Sequence, residues 1–260
     1  MKPVTIITGA SAGIGTALAH EFAAHGHELV LVARRTDRLE VLADEIAAAG
    51  RRRPTVVALD LERRDATATL AAALKARGLE PDHVVNNAGF GLTGPAAALD
   101  REQQLAMVDL NVRALTELSL AFVDSLQRHH GGILNVASTA AFLPGPGMAV
   151  YYASKAYVLS FSEALHQELS RRGVRVTALC PGPVLTEFQA RAGMKLTGFF
   201  RLLPLVSAER VAHIGYRGLK RGKRVVIAGL VNRLSAIMVR FSPHAVLNAA
   251  TDQSRHYRAR

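Results

Sequence analysis

The 260-residue chain has no tryptophan, a single cysteine and five tyrosines, and aromatic residues make up only 5% of it. One cysteine, Cys180, excludes an internal disulfide framework and fits a reducing compartment, so a cytoplasmic location is expected. No uninterrupted apolar run approaches the ~20 residues that a membrane-spanning helix needs. The opening Met1-Lys2-Pro3, followed by Val4 to Thr8, is too short for the apolar stretch of a signal sequence. No helix-turn-helix, zinc-finger or aromatic RNA-binding signature is present, so no nucleic-acid partner is expected.

Apolar residues are plentiful at 49%, ample at this length for one sizeable core. The net charge of +11 is unevenly placed, because the stretch from Arg201 to Arg260 holds twelve Lys and Arg against Glu209 and Asp252. A charge excess says little about a specific partner, and this one reads as solvated surface.

Short β-branched runs alternate with longer helical stretches. Strands are predicted at Val4-Thr8, Glu28-Ala33, Thr55-Leu59, His83-Asn86, Ile133-Ala137, Val174-Cys180 and Arg224-Ile227. Helices are predicted at Ile14-His25, Arg38-Ala49, Ala66-Arg77, Gln103-Gln127, Tyr151-Arg171 and Ala208-Lys220. Strands this short and apolar suit a sheet buried on both faces. Regular βα alternation implies parallel strands with right-handed crossovers, hence an α/β, doubly wound sheet in one domain over 1–228. Such sheets take ligands beyond the carboxyl ends of their strands, so the residues there are the candidates.

After the first strand comes Thr8-Gly9-Ala10-Ser11-Ala12-Gly13-Ile14-Gly15. Glycines at Gly9, Gly13 and Gly15 let the backbone turn tightly and approach a pyrophosphate, with Ser11 and Ile14 beside them, and the next helix presents free N–H groups. The spacing differs from the general dinucleotide fingerprint. At the end of the second strand stand Arg34 and Arg35, with no acid before Asp37. An acid there would accept a ribose 2′-hydroxyl, whereas arginine accommodates a 2′-phosphate. NADP(H) is therefore expected, with Arg34 the main contact and Arg35 secondary. Asp60 follows the third strand, where it can accept from an adenine amino group or cap a turn. Asn86-Asn87-Ala88-Gly89 ends the fourth, and the amides suit either nucleotide support or turn chemistry. Ser138 ends the fifth. The sixth runs into Cys180-Pro181-Gly182-Pro183-Val184-Leu185-Thr186, with backbone groups at Pro181, Gly182 and Val184 for a nicotinamide amide and a hydroxyl at Thr186. Cys180 itself reads as a small packed residue.

Three of the five tyrosines fall in Tyr151-Tyr152-Ala153-Ser154-Lys155-Ala156-Tyr157. Residues four apart share a helix face, so Lys155 serves Tyr151, while Tyr152 and Tyr157 are rotated from it by about 100° and 240°. Bringing a phenol from its usual value near 10 to neutrality requires about 4 kcal/mol. One ammonium about 5 Å away, at an effective dielectric near 20, supplies about 3 kcal/mol. Asn111, inside the long predicted helix, is a poor helix former and is either a relay toward Lys155 or a surface residue.

Together, Thr8-Gly9-x-x-x-Gly13-x-Gly15, Asn86-Asn87-Ala88-Gly89, Ser138, Tyr151-x-x-x-Lys155 and Pro181-Gly182 resemble the short-chain dehydrogenase/reductase family in order and spacing, to about residue 228. The resemblance implies a seven-stranded parallel Rossmann-type sheet and a catalytic tetrad of Asn111, Ser138, Tyr151 and Lys155. It implies that the tyrosine gives a proton to a carbonyl oxygen while a nicotinamide gives hydride to its carbon. The serine orients the carbonyl, the lysine holds the nicotinamide ribose and tunes the tyrosine, and the asparagine supports a proton relay. It also implies a homodimer or homotetramer built on the helices Gln103-Gln127 and Tyr151-Arg171.

Two segments lie outside the core pattern. Residues 229–260 form a basic C-terminal extension in which Leu230, Leu234, Ile237, Met238 and Phe241 make a helical stripe, with Arg233 and Arg240 to one side. Packing on the domain or a neighbouring subunit is the expectation, with substrate closure and membrane-surface contact over 230–241 as the other readings. Between Thr186 and Ser207 lie Glu187-Phe188-Gln189 and then Met194, Leu196, Phe199, Phe200, Leu202 and Leu203. The resemblance implies that this segment covers the substrate, its apolar character suggests an apolar one, and Arg191, Lys195 and Arg201 could meet an acidic group. The expected function is an NADPH-dependent carbonyl reductase, reversible as an alcohol dehydrogenase, with a small-molecule ketone or secondary alcohol as substrate and no metal. The alternatives are a 3-oxoacyl-thioester reductase and a non-catalytic NADP(H)-binding sensor or scaffold.

Overall fold

Seven strands alternate with helices in a computed structural model that describes residues 1–184, 186–188, 192–193 and 206–241. The strands are β1 (Lys2–Thr8), β2 (Leu29–Ala33), β3 (Thr55–Ala58), β4 (Leu79–Asn86), β5 (Gly132–Val136), β6 (Arg175–Pro181) and β7 (Val225–Ala228). They form one sheet in the order β3-β2-β1-β4-β5-β6-β7. Every pairing is parallel. The order reverses beside β1, between β1 and β4, which opens the crevice that this class of sheet uses for ligands.

Successive strand residues point to opposite faces, so each β-branched run feeds two cores. On one face Ile7, Leu31, Val85, Leu134 and Leu179 pack with Phe22, Leu42 and Leu219, beneath α1 (Gly13–Ala24), α2 (Thr36–Ala48) and α8 (Ala208–Lys220). On the other, Ile6, Val30, Val84, Ile133 and Val176 pack with Leu70, Leu118, Leu126 and Leu165. That second layer is α3 (Ala66–Ala76), α4 (Arg101–Val108), α5 (Leu115–Ala121), α6 (Val123–Arg128) and α7 (Ala149–Ser170).

The predicted continuous helix over Gln103-Gln127 is interrupted. A π-helical turn covers Asp109–Ala114, and Phe122 (φ −113°, ψ 11°) breaks the chain again between α5 and α6. The wide turn centres on Asn111, which is wholly buried.

The last helix, α9 (Leu230–Phe241), packs against β7 and the turn at Thr139–Phe142. Its buried side is Ala236, whereas Leu230, Val231, Leu234 and Met238 are exposed. The apolar stripe at Leu230, Leu234 and Met238 therefore faces away from the domain. No helix among the described residues is long and apolar enough to cross a membrane. Arg191, Met194, Lys195, Leu196, Phe199, Phe200, Arg201, Leu202 and Leu203, the tail 242–260, and the side chains of Ile237, Arg240 and Phe241 lie outside what is described.

Candidate active site

The carboxyl ends of β1, β2, β4, β5 and β6 border a crevice of about 1140 Å³. Its walls include the glycine loop, Arg34, Arg35, Asp60, Asn87, Ala88, Gly89, Ser138, Tyr151, Lys155, Pro181, Gly182, Val184 and Thr186.

The glycine loop is clamped from below. Thr8 Oγ1 donates to Val85 O at 3.2 Å and accepts the backbone N–H groups of Asn87 and Ala88, each at 3.0 Å. Asn87 Nδ2 donates to Thr8 O at 2.9 Å and Gly9 O at 3.2 Å. A Cβ at Gly15 would lie 2.2 Å from Gly9 O and 2.5 Å from Asn87 Nδ2, so the clamp closes only over glycine. Helix α1 begins at Ala12 without a side-chain cap, which leaves its first N–H groups for an anion. Gly13 sits against the Thr186 side chain.

The neighbouring asparagine does different work. Asn86 is buried beneath the crevice, where its Nδ2 donates to Asn135 Oδ1 and Ser119 Oγ, both at 2.9 Å. Asn135 Nδ2 in turn donates to Ser162 Oγ at 2.9 Å. That chain of amides and hydroxyls ties β4 and β5 to α5 and α7.

The two arginines after β2 diverge. Arg34 Nη1 donates to Glu62 Oε1 at 3.1 Å and lies 3.9 Å from Asp60 Oδ2. Arg35 turns back to the glycine loop, with Nε 3.3 Å and Nη2 3.2 Å from Ser11 Oγ, and its Nη1 donates to Glu187 Oε2 at 2.9 Å. Arg38 also pairs with Glu187, and the two guanidiniums hold that carboxyl down at about 2. Asp60 accepts the Glu62 N–H at 3.1 Å and so caps the turn after β3.

At the far end of the crevice, Tyr151, Ser138 and Lys155 come together. The Ser138 hydroxyl accepts the Ala140 N–H at 3.1 Å, starting the turn at Thr139–Phe142, and lies beside the Tyr151 phenol, favouring its ionised form. Lys155 is 5% exposed and donates from Nζ to Val136 O at 2.9 Å, with Nζ 5.9 Å from the centre of the Tyr151 ring. Burial pushes Tyr151 up to about 12, with Ser138 opposing it, and pushes Lys155 down to about 8. The lowering of the tyrosine by the lysine that the sequence suggested does not appear: desolvation governs the phenol, and Ser138 rather than Lys155 opposes it. Tyr152 lines the crevice away from Lys155, and Tyr157 lies outside it, bonded to the Thr116 hydroxyl at 3.0 Å.

Asn111 is locked rather than exposed. Its Oδ1 accepts the Phe90 N–H at 3.1 Å, and its Nδ2 donates to Phe90 O at 3.0 Å and Ser154 Oγ at 3.1 Å. A Cβ at Gly89 would lie 2.8 Å from Asn111 Oδ1 and 3.5 Å from Lys155 Nζ. Glycine at this position leaves the asparagine and the amine separated only by backbone. Cys180 is fully buried beneath, its thiol pushed up to about 12, and offers no nucleophile.

Sequence reading missed Glu62 and Ser154, which are joined to Arg34 and Asn111 by folding alone, and gave no role to Glu187. It also missed Phe90, Leu92 and Met148, which with Phe188 form an apolar wall beside Tyr151. The Phe188 ring centre is 5.3 Å from that of Tyr151. At the opposite rim, Asn232 of α9 packs on Gly182 and donates to Ala228 O at 2.7 Å.

A sequence model of the short chain dehydrogenase family matches residues 3–197. A sulfoacetaldehyde reductase from Chromohalobacter salexigens is 41% identical over 191 residues, covering 72% of this chain and 75% of that one. A short-chain dehydrogenase from Sphingobium yanoikuyae, solved in complex with NADPH, superposes with a TM-score of 0.79 at 32% identity, covering 96% of each chain. A bulky-bulky ketone specific alcohol dehydrogenase from Comamonas testosteroni gives a TM-score of 0.75 at 28% identity, covering 94% of this chain and 96% of that one.

Proposed function

The chain belongs to the short chain dehydrogenase family, and from that membership we propose that it is an NADP(H)-dependent carbonyl reductase, reversible as an alcohol dehydrogenase, acting on an apolar ketone. The observation that carries this reading is the meeting of Tyr151, Ser138 and Lys155 in the crevice that the glycine loop opens.

The residues fit the dinucleotide. The Gly9–Gly15 loop and the uncapped start of α1 suit a pyrophosphate. Arg34 and Arg35 suit a 2′-phosphate, and Arg35 already holds an anion, the Glu187 carboxylate. Asp60 and Ala88 would border the adenosine, with Pro181, Gly182, Val184 and Thr186 near the nicotinamide. When bound, the reduced nicotinamide supplies hydride. The NADPH complex of the Sphingobium relative supports the choice of cofactor.

Reduction of a ketone leaves negative charge on oxygen, which needs a proton donor in place. Tyr151 meets that need, because a phenol pushed up to about 12 keeps its proton throughout the physiological range. Ser138, whose hydroxyl lies beside that phenol, would orient the carbonyl. Lys155, near 8, carries its positive charge in neutral solution and favours charge build-up on oxygen. Asn111 holds the backbone at Phe90 and bonds Ser154, one residue before Lys155, which keeps the amine in register. Phe90, Leu92, Met148 and Phe188 supply an apolar wall for the substrate.

A homo-oligomer through α4–α7 accompanies this reading, since Leu105, Val108, Leu120 and Tyr157 expose apolar surface on those helices. Light scattering should give a mass at least twice the 27.9 kDa of one chain. The test of activity is NADPH oxidation against a panel of ketones, aldehydes, keto acids and acyl thioesters. Turnover should be highest with bulky apolar ketones. Turnover confined to 3-oxoacyl thioesters would replace the substrate class, and tight NADPH binding with no turnover would leave only a binder.

A further inference from the structure

Away from the crevice, a second polar cluster lies toward the amino ends of β1 and β4. It comprises His27, from the turn between α1 and β2, with Asp82 and His83 of β4. Asp82 lies four residues before Asn86, about 13 Å along an extended strand. The register between β1 and β4 slips here: Val4 pairs with Pro81 and Thr5 with His83, leaving Asp82 as the extra residue of a bulge. A bulge re-aims side chains that would otherwise alternate, and Asp82 Oδ1 comes within 3.0 Å of His83 Nδ1.

One donor atom each from His27, Asp82 and His83 lies within 4.8 Å of the others. The Thr5 hydroxyl donates to Asp82 Oδ1 at 3.0 Å and is 2.9 Å from His27 Nδ1, fixing two of the three. The Tyr216 hydroxyl is 3.3 Å from His27 Nε2. Phe22 sets its ring edgewise to both imidazoles, with centres 5.0 Å and 6.2 Å away. Thus two imidazoles and a carboxylate converge in a pocket with an apolar wall.

His83 points to a ligand. It is 5% exposed, yet neither ring nitrogen makes a hydrogen bond. Nδ1 meets only the Asp82 carboxylate, at 3.0 Å, and Nε2 has no hydrogen-bond partner. Buried polar atoms without partners are costly and rare in native structures. A separation of 3.0 Å is within a few tenths of an ångström of the ~3.3–3.6 Å between two tetrahedral ligands of one cation with bonds of ~2.0–2.2 Å.

We propose that His27, Asp82 and His83 bind a divalent transition metal of the zinc type, with a fourth position open to water or the Tyr216 hydroxyl. The donor set selects the class: imidazole suits zinc and its first-row neighbours, whereas calcium and magnesium take oxygen ligands. His27 must move inward by about 1–1.5 Å for bonds of ~2.0–2.2 Å, which its place in a half-buried turn permits. Bound metal fastens that turn to the centre of the sheet, remote from the reacting groups.

The test uses full-length protein freed of metal by a chelator, with Zn²⁺ followed by calorimetry and Co²⁺ by visible absorption. The wild type should bind one equivalent of Zn²⁺, give the ligand-field bands of a low-coordinate Co²⁺ site, and gain several degrees in Tm with Zn²⁺. Asp82→Asn and His83→Gln should each weaken binding at least about tenfold, while His213→Ala, which removes a surface imidazole paired with Glu21, should leave it unchanged. If His83→Gln does not fold, His27→Gln carries the same expectation from a less buried position. No stoichiometric binding by the wild type, or binding lost in His213→Ala and kept in Asp82→Asn, would overturn the assignment.

Discussion

Strand β4 carries a polar cluster toward each end, and the two are built differently. At the carboxyl end, Asn86, Asn135, Ser119 and Ser162 spend their donors on one another and on helix carbonyls, within 2.6–2.9 Å. At the amino end, Asp82, His83 and His27 crowd together and leave the His83 nitrogens unmatched. The first cluster is scaffold: it holds β4 and β5 under a crevice whose floor needs fixed geometry. The second has the chemistry of a site waiting for a further atom. Burial alone does not distinguish them; at the carboxyl end only the Asn86 Oδ1 acceptor goes without a partner while every side-chain nitrogen and hydroxyl is bonded, and at the amino end it is the imidazole nitrogens that lack hydrogen bonds.

Substitutions at both ends of the crevice and in both clusters probe that contrast, in order of falling effect. Lys155→Met removes a cation from the crevice and should lower turnover by about 10²-fold or more, the scale of acid–base assistance. The same variant tests linkage. The folded amine sits near 8, below its ordinary 10.5, so between those values the unfolded chain binds more protons and wild-type stability should rise with pH. Denaturant titrations from pH 7 to 9, below the range in which the raised Cys180 thiol contributes the opposite slope, should show that rise in the wild type and its loss in the variant. Next, Asn135→Ala strips a partner from both Asn86 Nδ2 and Ser162 Oγ. Each keeps a second partner, Ser119 Oγ and Val158 O respectively, so the loss should be about 0.5–1.5 kcal/mol per broken hydrogen bond in chemical denaturation. Arg35→Ala, which frees Ser11 and Glu187, should weaken NADPH about tenfold relative to NADH, a phosphate contact being worth about 1.5–3 kcal/mol. An unchanged NADPH preference in both Arg35→Ala and Arg34→Asp would remove the 2′-phosphate assignment. Smallest, Asp82→Asn without metal should change stability by no more than about 1 kcal/mol, since it keeps an acceptor for Thr5. A loss as large as that of Asn135→Ala would make the amino-end cluster a scaffold too.

Legibility in the sequence follows the same division. A sheet covered on both faces writes itself as apolar β-branched runs, which is why all seven strands are visible in the sequence. The start of β4 is the exception: Glu80, Pro81 and Asp82 are poor strand formers and enter the sheet only by pairing through the bulge with β1. The break in the long helix at Asp109–Ala114 has no signature beyond Asn111, whose partners Phe90 and Ser154 are 21 and 43 residues away. The crevice was readable because its residues sit at strand ends in contiguous motifs. The Glu187 clasp on Arg35 and Arg38 spans 152 and 149 residues, and the His27–Asp82–His83 group joins separate elements, so neither leaves a local pattern. Helical spacing put Tyr151 and Lys155 on one face, and both line the crevice, but the upward shift of the tyrosine depends on burial, which spacing does not encode.

The central claim is that the Tyr151 phenol delivers the proton while the rest of the crevice binds the dinucleotide. The most direct check is NADPH affinity and ketone turnover measured on one preparation of Tyr151→Phe. Affinity should stay within about threefold of wild type while turnover falls by about 10²–10⁴-fold. Turnover equal to wild type with the cofactor bound would contradict it.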